Sequence, residues 1–191
     1  MSSLTIGSNS NRVLVAIASR GYPITSAVTG MTWNGEDLTF SHKVNQSTQV
    51  VEVWYLINPD TGNHDLVATY DQITDCVLTG ISLYNADQTD PIGITGSSAV
   101  DNTTGTSYNV TTESARSVLL VGASYENSTG ALTDPPIGFT TLSKEDGAYL
   151  QGITAFKTVA LAGTTAAGCP HSSGGPSQEN ASIAVEILPV G

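Results

Sequence analysis

The chain has 191 residues, with 6 basic and 17 acidic side chains and a formal net charge of −11 at pH 7. So few cations exclude the counterion release that drives nucleic-acid binding, and they exclude electrostatic adhesion to an anionic membrane. Hydrophobic residues make up 39% of the chain, which excludes a disordered composition and predicts one folded domain over residues 1–191.

The apolar residues predict strands throughout the chain. No segment shows the 3.6-residue period of a helix, whereas short apolar or alternating runs end repeatedly at Gly, Asn, Asp or Pro. We therefore predict an all-β fold, an antiparallel jelly-roll-like β-sandwich. The continuous runs 13–18 and 117–123 indicate strands that are buried on both faces or central in a sheet. The predicted strands are Leu4–Ile6, Arg12–Ser19, Thr25–Trp33, Asp37–Ser41, Gln49–Ile57, His64–Tyr70, Asp75–Tyr84, Ser107–Thr112, Ser117–Tyr125, Phe139–Leu142, Ala148–Val159 and Ala181–Leu188.

Turn signals separate several of these strands. Asn34-Gly35 predicts a type I′ hairpin, because both residues accept a positive φ with little strain. The segment 58–62, Asn-Pro-Asp-Thr-Gly, predicts a second hairpin. The segment 162–178 is polar and rich in Gly and Pro, so we predict a long surface loop there, which is a candidate for contact with a partner.

A weak internal similarity relates the two halves of the chain at a separation of about 100 residues. It predicts two pseudo-repeated halves, at about 11–93 and 107–191. The alternative is chance similarity between strands that are rich in Val, Thr and Ser. The matching segments are 12–19 with 117–124, 38–43 with 140–144, and 75–83 with 180–188.

Potential catalytic side chains are present without the patterns that catalysis requires. The three histidines lie outside any nucleophile-elbow or other catalytic signature. Glycoside hydrolysis needs two carboxylates that face one cleft. The candidates Glu52 and Glu186 alternate with apolar residues in predicted strands, which indicates solvent-facing positions. We therefore predict that the protein is not an enzyme.

One loop has the side chains of a possible metal site. Asn85, Asp87 and Asp90 follow a predicted strand, and their oxygen atoms are ligands that calcium accepts. Asp and Asn also form ordinary turns. The sequence therefore allows calcium at this loop or an Asx turn before Pro91, and it indicates no other cofactor.

The two cysteines, Cys76 and Cys169, allow one disulfide at most. They are either two small buried thiols or one bridge, which would stabilise the fold in an oxidising compartment.

Three aromatic residues are candidates for binding a glycan, because a sugar ring stacks on a flat, rigid side chain. They are Trp33, Trp54 and Tyr55. Trp54 and Tyr55 are adjacent in a strand, so their side chains point to opposite faces, and we expect one of them to face outward. The alternative for Trp33 and Trp54 is packing in the core or against a hairpin.

Four segments follow one another in a characteristic order: NRVLVAIAS, TWNGEDLTF, VEVWYLINPDTGNHDLVATY and GISLYNADQTDPIG. Together they resemble a β-sandwich module that occurs in bacterial cell-surface proteins and in virion proteins of tailed phages. The resemblance implies a jelly-roll-like sandwich with an adhesive or architectural role and without catalytic residues. The module stands alone here with an initial Met and no secretion signal, which favours a protein made in a host cytoplasm and assembled onto a particle.

The sequence therefore predicts a non-catalytic virion structural protein, such as a capsid decoration or a tail-associated subunit. Its expected partners are further copies of itself and a capsid or tail protein. The alternative is a carbohydrate-binding or adhesin module of a secreted, extracellular protein, whose partner is a glycan. The sequence leaves open whether residues 1–10 pair within their own sheet or add to a neighbour's edge.

Overall fold

The computed structural model describes residues 2–21, 27–72, 75–102, 105–126, 131–132, 138–146, 150–172 and 178–191. Every regular element in these residues is a β-strand, and the predicted all-β antiparallel sandwich is confirmed. No helix that is long and apolar enough to cross a membrane occurs in them. The strands are β1 (Ser2–Ile6), β2 (Val13–Arg20), β3 (Val28–Trp33), β4 (Glu36–Asp37), β5 (Thr39–Gln46), β6 (Gln49–Ile57), β7 (Gly62–Tyr70), β8 (Cys76–Leu83), β9 (Ile92–Asn102), β10 (Tyr108–Thr112), β11 (Ser117–Glu126), β12 (Ala131–Leu132), β13 (Thr140–Asp146), β14 (Leu150–Val159), β15 (Gly163–Ala167), β16 (His171–Ser172) and β17 (Gln178–Ile187).

The strands stack in four layers. The first outer sheet has the order β1-β7-β3-β4, and the first inner sheet has the order β5-β6-β2-β8. The second inner sheet, β13-β14-β11-β17-β9, packs on the first inner sheet, and the pair β10-β15 forms the second outer sheet. One buried apolar cluster lies between each pair of successive layers. Both inner sheets are therefore covered on both faces.

The three clusters take their residues from alternate positions of the strands. We call them the first outer cluster, the inner cluster and the second outer cluster. The first outer cluster includes Ile6, Leu14, Ala16, Met31, Trp33 and Leu66. The inner cluster includes Val13, Val15, Ile17, Val51, Leu120 and Ile183. The second outer cluster includes Leu119, Val121, Tyr125, Ile153, Ala167 and Cys169.

Strand β2 shows why a continuous apolar run is needed at the centre of such a stack. Val13, Val15 and Ile17 face the second inner sheet, whereas Leu14 and Ala16 face the first outer sheet. A strand with one solvated face would alternate apolar and polar residues instead. Strand β11 divides its apolar residues between two clusters in the same way. The prediction that both runs form central strands buried on both faces is confirmed.

The two halves of the chain have the same strand pairing. The pairs β1–β7, β2–β6, β2–β8 and β5–β6 recur as β10–β15, β11–β14, β11–β17 and β13–β14. Consecutive strands β1 and β2 lie in different layers and pair with β7 and β6, which is a jelly-roll-like winding. Strand β9, on the outer side of β17, has no counterpart among the described residues of the first half. A duplication as the origin of the halves stays a prediction.

The registers of the halves also agree, including one irregularity. Strand β5 pairs with β6 through a register shift between Phe40 and His42. Strand β13 pairs with β14 through a shift between Thr141 and Ser143, at the same place in the ladder. A β-bulge of this kind twists and protects an edge strand. The matching registers define which residues of the two halves are equivalent.

The inner sheets approach closely where the equivalent residues Ile17 and Gly122 meet. A Cβ at Gly122 would collide with Cγ2 of Ile17, so only glycine leaves room for the isoleucine. Hydrogen bonds cross the same interface from equivalent serines. Ser19 Oγ donates to the carbonyl of Ala123 over 3.1 Å, and Ser124 Oγ donates to the carbonyl of Arg20 over 2.9 Å.

Two predicted turns have different outcomes. Asn34 and Gly35 have φ values of 49° and 80° and join β3 to β4, so the predicted hairpin is confirmed. The predicted hairpin at 58–62 is wrong, because β6 and β7 belong to different sheets. Both edges of β6 are already occupied by β5 and β2, and the chain therefore crosses to the outer layer at this turn.

Four strands were not predicted from the sequence: β9, β15 and the two-residue strands β12 and β16. Strand β9 is rich in Gly and Ser, which have low strand propensity, and pairs with β17 along its length. The predicted loop 162–178 is wrong at two places. Strand β15 pairs with β10 and covers the second inner sheet, and β16 pairs with β12. The prediction for 173–177 lies outside the described residues, as do residues 25–26 and 148–149 of two predicted strands.

The N-terminal segment pairs within its own chain. Strand β1 pairs antiparallel with β7 from Ser2 opposite Leu66 to Ile6 opposite Gly62. Ile6 is buried in the first outer cluster. The sequence left open whether this segment pairs within its own sheet or with a neighbouring chain. In the structure it pairs within its own sheet.

Candidate functional site

Trp33 lies inside the first outer cluster and is 0% exposed. The ring of His64 contacts it edge-on, with 5.5 Å between the ring centroids. A ring that is fully enclosed offers no face to a sugar, so we do not retain Trp33 as a binding residue. Trp33 packs in the core, which is the alternative that the sequence offered for this residue.

Trp54 and Tyr55 point to opposite faces of β6, as their adjacency predicts. Trp54 packs against the first outer cluster, whereas Tyr55 packs against the inner cluster. Both side chains are half-buried, because both faces of this sheet are covered. Trp54 is therefore a partly accessible ring, and Tyr55 belongs to the packing between the inner sheets.

An exposed phenylalanine extends the accessible surface of Trp54. Phe40 on β5 lies directly opposite Trp54 in the ladder, and its ring contacts Trp54 edge-on at a centroid distance of 5.3 Å. Phe40 is 48% exposed. We call these two residues the aromatic pair. Phe40 is not predicted from the sequence, because the bulge that follows it conceals its register with Trp54.

Charged side chains lie beside the aromatic pair. Glu52 Oε1 accepts a hydrogen bond from Arg20 Nη2 over 2.6 Å, and both side chains are almost fully buried. Lys43 Nζ lies 3.6 Å from the same oxygen, and its side chain is 40% exposed. Trp54 Nε1 donates to Glu52 Oε2 over 3.3 Å. The carboxylate of Glu52 thus connects two cations and the indole ring.

The expectation that Glu52 and Glu186 face solvent is wrong, because outer layers cover both inner sheets. Glu186 is 0% exposed and accepts hydrogen bonds from the amides of Glu113 and Ser114 and from Ser117 Oγ. Glu52 lies on the side of the first outer sheet, and Glu186 lies on the side of the second. The two carboxylates point away from each other and do not form a catalytic pair across one cleft.

The loop with Asn85, Asp87 and Asp90 contains an Asx turn. Asp87 Oδ1 accepts hydrogen bonds from the amides of Thr89, over 2.7 Å, and Asp90, over 3.0 Å. These two bonds lower the pKa of Asp87. Within the described part of the chain, no three His, Cys, Asp or Glu side chains are grouped as a metal ion would require. Calcium at this loop, with Asn85 as a ligand, stays a prediction.

The two cysteines are free thiols in different clusters. Cys76 packs in the first outer cluster and accepts a hydrogen bond from the Tyr70 hydroxyl over 2.6 Å. Cys169 is buried in the second outer cluster, where its carbonyl accepts a hydrogen bond from the Tyr125 hydroxyl. The inner sheets separate the two thiols, so the alternative of an internal disulfide does not occur in this structure.

Because Cys169 and Tyr125 are buried, we expect the protein to lose stability at alkaline pH. Burial raises the pKa of Cys169 from 9.0 to about 12 and raises the pKa of Tyr125 well above 10.0. The folded protein therefore keeps protons that the unfolded chain releases, and stability is complete below about pH 9 and falls as the pH rises towards 12. Urea unfolding between pH 7 and pH 11 measures this. A free energy of unfolding that stays constant to pH 11 would contradict it, and Cys169→Ala is expected to reduce the slope.

No family model, no curated protein and no solved structure matches this chain.

Proposed function

We propose that this chain is a non-catalytic architectural protein, a capsid decoration or tail-associated subunit of a virion. An open strand edge carries the proposal. Strand β17 of the second half pairs with β11 on one side and with β9 on the other. Its counterpart β8 pairs, among the described residues, with β2 alone. No strand in the described part of the chain occupies the other edge of β8, and this edge suits the addition of a strand from a neighbouring chain.

The composition of β8 suits strand addition. Its eight residues, Cys76–Leu83, include no charged side chain and no proline, and its ladder with β2 has no register shift. Proteins that avoid edge-to-edge assembly place charges, prolines or bulges on their edges. The edge strands β5 and β13 do so, since each carries a bulge and a lysine. Strand β8 lacks these protective features.

The buried polar groups also support a structural role. Glu52 and Glu186 are engaged in hydrogen bonds that hold strands and loops together. The net charge of −11 keeps a protein soluble at the high local density of a particle surface and disfavours nonspecific binding to nucleic acid. Symmetric particles are built from repeated contacts between identical subunits. An architectural subunit requires these properties and no catalytic cleft.

A lysine on the open edge tests the proposal. Ser82 is half-buried on β8, and Ser82→Lys places a charge next to an incoming strand. We expect the wild-type protein to self-associate in light scattering or to cosediment with purified capsids or tails. Ser82→Lys is expected to weaken that association at least tenfold, whereas Thr141→Lys on β13 leaves it unchanged. A wild-type monomer that cosediments with neither particle, with or without millimolar calcium, would refute the proposal.

A second candidate function, a glycan-binding module, is favoured by the aromatic pair. Phe40 and Trp54 form an apolar surface that is open to solvent at the edge of the first inner sheet. Both functions are compatible with one chain, because the aromatic pair lies near β5 and the proposed assembly edge is β8. These two strands form the opposite edges of the first inner sheet.

A further inference from the structure

The second half shows that the fold does not require the aromatic pair or the ion pair behind it. The positions equivalent to Phe40 and Trp54 are Thr141 and Ala155, which face each other in the same register. By the same correspondence, Tyr125 is equivalent to Arg20, and Ile153 is equivalent to Glu52. One half thus forms the sheet with ordinary packing residues, whereas the other half has a set of aromatic and charged side chains.

Hydrogen bonds to buried groups fix the orientation of Trp54 in the aromatic pair. Glu52 is almost fully buried and is fixed by Arg20, and its second oxygen accepts the indole N–H of Trp54. A ring whose polar edge is bonded to an anchored carboxylate loses little further freedom when a ligand binds. Phe40 packs edge-on against this ring and remains about half exposed, at 48%. The arrangement presents a rigid apolar surface to solvent.

The charges beside this surface favour an anionic ligand. Arg20 lies 2.6 Å from Glu52 and neutralises it inside the protein. Lys43 lies further from the same oxygen, at 3.6 Å, and its ammonium is partly exposed. The three groups together carry one net positive charge in a chain whose net charge is −11. The Lys43 side chain is 40% exposed and its Nζ lies 3.6 Å from Glu52, so this contact is weak and Lys43 binds a ligand carboxylate in its place at small cost.

We infer that Phe40, Trp54 and Lys43 form a binding site for a pyranose ring that carries a carboxylate, such as a uronic acid residue of an acidic polysaccharide. The apolar face of the sugar packs on the aromatic pair, and its carboxylate accepts a charge-assisted hydrogen bond from Lys43. Glu52 and Arg20 are positioning residues that do not contact the ligand. This inference rests on the second function proposed above and names its ligand class.

Calorimetric titration with tetragalacturonate and with neutral maltotetraose tests the site. We expect wild-type protein to bind the acidic tetrasaccharide at least tenfold more tightly than the neutral one, with a change in tryptophan emission. Lys43→Met is expected to remove this preference, whereas Phe40→Ala weakens binding of the acidic sugar at least tenfold. Lys144→Met and Leu142→Ala, which lie on strand β13 of the second half, are the matched controls and are expected to bind as wild type.

The outcomes separate the site from the broader glycan-binding function. Binding of both sugars that depends on Phe40 but not on Lys43 would refute the preference for an acidic sugar, and it would still support a glycan site at the aromatic pair. Binding of neither sugar at millimolar concentration would overturn both. Equal losses in Lys43→Met and Lys144→Met would show a general charge effect and would also overturn the site. None of these results affects strand addition at β8.

Discussion

Glu52→Gln is expected to lower the free energy of unfolding by about 3–5 kcal/mol. The substitution leaves Arg20 with its charge in a site where its side chain is 0% exposed, and it removes the negative charge that lies 2.6 Å away. It also weakens the acceptor of the Trp54 indole. Chemical denaturation at neutral pH measures the change. Lys43→Met, which removes only the exposed partner of Glu52, is the control and is expected to change stability by less than about 1 kcal/mol.

The double variant Arg20→Tyr/Glu52→Ile is expected to be far less destabilised than Glu52→Gln. It introduces the residues that the second half has at the equivalent positions, Tyr125 and Ile153. Replacing both members of a buried ion pair by packing residues removes the desolvation penalty together with the attraction. If the double variant unfolds as easily as Glu52→Gln, the packing of the first half requires the ion pair, and these positions of the two halves are not equivalent.

Gly122→Ala is expected to destabilise the protein by about 3 kcal/mol. The added Cβ would collide with Cγ2 of Ile17 and come within 3.2 Å of Cγ1 of Val51, at the contact between the two inner sheets. Alanine for glycine in a strand is otherwise stabilising, by about 0.5–1 kcal/mol. Gly30→Ala on β3 is the control, because no heavy atom lies within 4 Å of its added Cβ.

A double-mutant cycle with Ile17→Ala checks the cause of that loss. Ile17→Ala alone leaves a cavity in the inner cluster and is expected to cost about 2–5 kcal/mol. In the double variant the new methyl group at position 122 occupies part of that cavity. The combined loss is therefore expected to fall below the sum of the single losses by more than about 0.5 kcal/mol. Strictly additive losses would show that the two side chains do not meet.

The sequence was informative where a local pattern has one physical meaning. The run Val13–Ala18 is apolar at every position, and it forms a central strand buried on both faces. Asn34-Gly35 predicts its own backbone conformation. Trp54 and Tyr55 must point to opposite faces of any strand that contains them. These features depend on neighbouring residues alone.

The sequence was misleading where the outcome depends on a distant strand. Glu52 has the alternation typical of a solvated face, but the outer sheet that covers it is formed by segments on both sides of it in the chain. The turn 58–62 resembles a hairpin, although β6 has no edge left for the next strand. Phe40 joins Trp54 only through a bulge that no local pattern reveals. The candidate glycan site was therefore only partly predictable.

The sequence by itself determined the all-β class, the central strands, the acidic and cation-poor character of the chain, and one aromatic residue of the proposed site. The tertiary structure decided that the strands form four layers, that Glu52 is buried against Arg20, and that, among the described residues, β8 pairs on one side alone whereas β17 also pairs with β9. The physical reason is the range of each interaction. Side-chain alternation shows which faces of a strand are apolar, but what covers a face or an edge depends on pairing between residues that are far apart in the chain.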